Sequence, residues 1–154
     1  EQKVAPGYAR LDPRFAHLDA DTSDIAPPGR RAASRWMDGE MIRWGLDDRR
    51  FHQLTVERLE AQLAEVEPRA RTIVAVTHHV PFVEMLKRKS DPTWAFGNAF
   101  MGSVGLGEAL RRHEKVRHAV FGHSHGRDSR QLGPILAINV GCTYHMKRYD
   151  VIEV

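Results

Sequence analysis

TIVAVTHHVPF, Thr72 to Phe82, and HAVFGHSHG, His118 to Gly126, share one plan: a short apolar run that breaks into histidines. Runs of this length and composition make strands buried on both faces. The reading therefore places His78 and His79 at the carboxyl end of one strand, and His123 and His125 at the carboxyl end of another. Open α/β sheets build their sites at strand carboxyl ends. If the two strands are parallel neighbours, two separate loops deliver four imidazoles to one region. Residues two apart in an extended segment point the same way, so His123 and His125 can both face one cavity. Gly122 and Gly126 supply the turns and close approach that a loop wrapped around an ion requires. Neutral imidazole is the commonest protein ligand for borderline divalent cations.

Outward from these two stretches, ILAINV (Ile135 to Val140) reads as a third strand and YDVIEV (Tyr149 to Val154) as an edge strand. DDRRFHQLTVERLEAQLAEVEPRA puts Val56, Leu59, Leu63 and Val66 on one helical face, with Asp47 or Asp48 as cap and Pro68 as stop. FVEMLKRK and GLGEALRRH read as short helices. Strands alternating with helices indicate an α/β layered architecture. Residues 1–35 mix Pro, Gly and Asp with isolated apolar residues and read as a loop or loosely structured segment, which leaves residues 36–154 as the folded domain.

The 154 residues are the length of one domain, and a hydrophobic fraction of 42% with 28% charged residues is that of an ordinary globular protein. A net charge of +3, with acidic residues scattered among the basic ones, provides neither a nucleic-acid stripe nor a membrane-binding face. The single cysteine, Cys142, fits a reducing compartment and reads as a small buried hydrophobe rather than a nucleophile. No apolar run approaches the roughly 20 residues that span a bilayer, and no signal-peptide pattern opens the sequence, so the expected location is cytoplasmic.

GHSHG after an apolar strand, with VTHHVPF about forty residues upstream, resembles the last two motifs of the calcineurin-like metallophosphoesterases. The resemblance runs from about Trp36 onward: WMDGEMIRWGLDD, the long helix and WAFGNAFMGS are similar to connecting segments in a bacterial branch of that family. It implies a hydrolase of phosphomonoesters or phosphodiesters that works through two divalent ions (Mn, Fe or Zn). The implied fold is a sandwich of two mixed β-sheets flanked by helices, in four αββα layers. On the same resemblance His78 and His123 bind the second metal and His125 the first, while His79 lines the pocket and is the candidate catalytic residue. Asp91, Trp94, Asn98 and Phe100 form an aromatic and polar insert between the metal motifs, which reads either as a wall of the substrate pocket or as a packing loop.

The family's first three motifs, Asp-x-His, Gly-Asp-x-x-Asp and Gly-Asn-His-Asp/Glu, are not found. LDADTSD contains Asp19, Asp21 and Asp24 in a different order. A bridging carboxylate lets two cations sit about 3.5–4 Å apart. Three neutral histidines can hold one zinc ion but make a poor cradle for two. The expectation is therefore the C-terminal part of a longer phosphoesterase, inactive alone and binding one ion or none, whose N-terminal half is deleted, disordered or on another chain. Half of a sandwich exposes an apolar sheet face, so either homo-oligomers form or residues 1–35 fold over that face. The alternative reading is a non-catalytic metal-binding or interaction module that has kept the histidines and lost the carboxylates; metal stoichiometry discriminates between the two.

Overall fold

The computed structural model describes Arg43, residues 45–89 and residues 92–154. The segment 1–35, with Asp19, Asp21 and Asp24, and also Asp91, lies outside the described residues. The described residues fall into two compact units, one containing Arg43, residues 45–55, 87–89 and 92–102, and the other containing residues 56–86 with 103–154.

Helix α1 spans Asp48–Val66. It starts where expected because Asp47 caps it: the Arg50 backbone N–H donates to Asp47 Oδ1 at 2.8 Å, satisfying one of the first-turn donors that an α-helix leaves open. Of the expected apolar stripe only Leu63 is buried; Val56 and Leu59 are half-buried and Val66 is exposed. In the first unit, WAFGNAFMGS is no simple loop, since Pro92–Asn98 form a short helix, α2.

The second unit is built on a four-stranded mixed sheet in the order β1-β2-β4-β3. Strands β1 (Ile73–Val76), β2 (Val116–Phe121) and β4 (Ile135–Asn139) fall on the three apolar runs read from sequence. β1 pairs with β2, and β2 with β4, in parallel. Strand β3 (Asp128–Leu132) was not expected: DSRQL carries no apolar alternation and becomes a strand by pairing antiparallel with β4 across a turn at Gly133, whose φ is 61°.

Register assigns the two faces. Ala75, Ala119 and Ala137 lie side by side on one face and are buried. Helix α3 (Val104–Arg112) contacts β2, and Leu106, Ala109 and Leu110 of α3 are buried with Val80, Phe82, Val116 and Ile135. Full burial of a side chain such as Leu110 or Phe82 stabilises the fold by about 1.5–3 kcal/mol. Gly107 permits close approach here, because a Cβ on it would lie 3.0 Å from the Phe82 ring and nearer still to the Pro81 carbonyl oxygen.

The opposite face carries Val74, His118 and Leu136 in one row and Val76, Val120 and Ile138 in the next. β1 is therefore not buried on both faces: it is an edge strand with Ile73 and Ala75 inside, Val74 37% exposed and Val76 74% exposed. Two other expectations fail. FVEMLKRK forms only a single 3-10 turn at Val83–Met85, and YDVIEV forms no strand.

A polar clip joins the end of α1 to the turn between α3 and β2. Glu67 Oε2 lies 2.7 Å from His113 Nδ1, its Oε1 accepts from the Lys115 N–H at 3.1 Å, and its backbone carbonyl accepts from Lys115 Nζ at 2.6 Å. The His113 hydrogen bond, then the Lys115 N–H, hold the Glu67 carboxyl below its usual value of 4.5, against the opposing effect of desolvation. A carboxyl whose pKa is lowered by folding contributes stability that is complete above the unfolded value and is lost as pH falls through the folded one. Glu67→Gln is expected to be less stable than the parent at neutral pH, with the gap closing as pH drops below about 4.5. Urea midpoints measured across that range check this; a gap independent of pH would mean that the charge contributes nothing.

Candidate functional site

The parallel ladder continues beyond the strands and fixes both histidine loops. Thr77 N–H donates to Val120 O at 3.0 Å, Gly122 N–H to His78 O at 3.2 Å, and Val140 N–H to Phe121 O at 3.0 Å. The Thr77 hydroxyl donates to His79 O at 2.8 Å, which closes the HHVP turn on itself. These bonds bring His78 Nε2 to 3.1 Å from His123 Nδ1, with ring centroids 4.9 Å apart. The His79 ring lies 4.7 Å from that of His123 and 5.2 Å from that of His78, so three imidazoles are in mutual contact. The fourth turns another way: the His125 ring stands edge-on to Tyr144 at 5.2 Å.

The conformation of GHSHG departs from the reading in an informative way. Gly122 has open space where a Cβ would sit and does not take up the left-handed conformation. His123 (φ 63°) and His125 (φ 55°) do. Left-handed backbone is uncommon for residues other than glycine and persists where the surroundings impose it, often at functional sites.

Asn139 contributes to that constraint. It ends β4, is 1% exposed, donates from Nδ2 to Ser124 Oγ at 2.6 Å and accepts at Oδ1 from the Gly141 N–H at 3.1 Å. Its buried amide thus ties the residue between the two strained histidines to the loop after β4. Gly141 (φ 70°) brings that loop against the backbone of Arg127, whose side chain pairs with Asp150 at 2.5 Å. Sequence reading noted Asn139 only as a strand end and passed over Ser124 and Tyr144; the available signal was a polar residue closing the apolar run ILAIN.

The donor set fits part of one cation's coordination shell. Two tetrahedral ligands at Zn–N distances of about 2.0–2.1 Å lie about 3.3–3.4 Å apart, within a few tenths of an ångström of the His78–His123 nitrogen separation. It does not fit a dinuclear centre. Among the described residues no group of three or more His, Cys, Asp or Glu side chains is arranged to hold a metal ion. Asp128 is bonded to Arg130 and Asp150 to Arg127.

The candidate pocket residues belong to the first unit. Trp94 Nε1 and Asn98 Nδ2 both donate to the Lys87 carbonyl, and the Lys89 ammonium sits 3.8 Å from the Trp94 ring centroid. Phe100 is buried and packs edge-on to Phe96 at 5.1 Å. The polar groups of Trp94 and Asn98 thus hold their own loop, and Phe100 is core. No described helix is long and apolar enough to cross a membrane. No family model, curated protein or solved structure matches the chain.

Proposed function

We propose that the chain carries the histidine side of a divalent-metal phosphoesterase site and needs carboxylate donors from outside the described residues to hydrolyse a phosphoester. The observation that supports this reading is the convergence of His78 Nε2 and His123 Nδ1 to 3.1 Å at the exits of two adjacent parallel strands. A bound divalent cation in such a site supplies Lewis-acid polarisation of a phosphoryl oxygen and lowers the pKa of water. The chain's own residues do the rest of what can be assigned. His78 and His123 offer ring nitrogens to one ion and His79 lies against both as the nearest candidate for proton transfer, while the His125 ring stands against Tyr144 outside that cluster. Cys142 carries no disulfide, which suits a reducing, cytoplasmic setting.

A second reading, a non-catalytic metal-binding or interaction module, draws support from the lack of a carboxylate in the cluster among the described residues. Hydrolysis of an aryl phosphate and a phosphodiester with added manganese separates the two. The 154-residue chain alone is expected to stay near background, and a form to which carboxylate donors are supplied is expected to turn over. Such a form that binds metal at the cluster but stays inactive would favour the module.

A further inference from the structure

The two sheet edges are treated differently by the sequence. β3 is protected in the usual way, with Asp128, Ser129, Arg130 and Gln131 along it. β1 is not: IVAV carries no charge and no proline, its one register irregularity lies at its start between Ile73 and Val74 in the ladder with β2, and the backbone groups of Val74 and Val76, which alternate away from β2, have no partner among the described residues. An open apolar edge of this kind is a template for another strand. The same chain contains a strand-forming segment with no sheet to join. YDVIEV is rich in β-branched residues, yet among the described residues no backbone group of 149–154 is hydrogen-bonded, and Tyr149 and Val151 are 82% and 83% exposed.

We infer that residues 149–154 of one copy add as an antiparallel strand to β1 of a second copy, and reciprocally, giving a closed two-fold dimer. Side-chain chemistry selects the orientation. Antiparallel pairing sets exposed Tyr149 and Val151 beside exposed Val76 and Val74 on the open sheet face, joining β-branched and aromatic side chains across the strands, and places Glu153 opposite Thr72 just before β1. Reciprocal exchange protects both β1 edges and leaves no repeating contact to propagate. The inference stands independently of the phosphoesterase reading, because it uses none of the histidines.

Light scattering after size exclusion tests it on the 154-residue chain and two variants, Val76→Lys and Val151→Lys, both at exposed positions where lysine is tolerated by the fold. The parent is expected at twice the 17.5 kDa chain mass. Each variant alone is expected to dissociate at least about tenfold more readily, a loss of about 1.4 kcal/mol. Mixing the two is expected to restore dimer in part, because the mixed dimer keeps one intact tail-to-edge contact. A chain shortened to end at Arg148 should behave as a monomer. A monomeric parent, self-association unchanged by either lysine, or mixing without recovery would each overturn the inference.

Discussion

Gly141→Ala is expected to lower stability by about 2–5 kcal/mol. The left-handed backbone at this position (φ 70°) costs a residue with a Cβ about 1–2 kcal/mol. The new methyl would also sit 2.5 Å from Arg127 Cα and 2.7 Å from Arg127 Cβ. Those atoms belong to a neighbouring loop and cannot swing aside by a rotamer change, so overpacking adds about 1–3 kcal/mol. For a chain of this size each kcal/mol moves Tm by about 2–4 °C, giving a drop on the order of 10 °C. Gly122→Ala is the control: it lies on the histidine loop, but a Cβ there meets nothing within 4 Å. A melting curve for Gly141→Ala that overlays the parent would show that the loops after β2 and β4 are not wedged together.

On the proposed phosphoesterase reading, His123→Ala, made in an active form that contains the carboxylate donors, is expected to reduce kcat/KM by several orders of magnitude. Loss of a ligand removes both the Lewis acid and the activated water that depends on it. His123 also holds the centre of the cluster, within ring contact of His78 and His79, so no neighbouring imidazole replaces it. His113→Ala, whose ring pairs with Glu67, is expected to leave turnover nearly unchanged at temperatures where the variant stays folded. Turnover that survives His123→Ala at matched metal concentration would remove the histidines from the chemistry.

The elements that sequence revealed are those whose side chains carry the cause of their own structure. The apolar runs within 73–76, 118–121 and 135–139 carry side chains that need burial on at least one sheet face, and Asp47 caps a helix by local geometry alone. β3 was invisible because nothing in DSRQL asks to be a strand; the demand comes from the open edge of β4 and the turn at Gly133. YDVIEV failed in the opposite sense, having strand chemistry but pairing with neither edge of the sheet in its own unit. The same division holds at the site. That two histidine loops would meet was legible, because both follow parallel strands. That His123 and His125, rather than the glycines around them, take the left-handed backbone was not. That conformation accompanies the Asn139 bridge to Ser124, fifteen residues away in sequence, and it leaves the His125 ring against Tyr144 instead of in the cluster.

Zinc titration followed through the imidazole nitrogen resonances tests the central claim most directly, that the exits of β1 and β2 deliver a ligand pair to one cation. His78 Nε2 and His123 Nδ1 are expected to shift together and saturate at one ion per chain, with weak affinity because the described residues supply only neutral donors, while the His113 resonances stay in place. Zinc that leaves His78 and His123 unmoved, or that moves them independently, would contradict it.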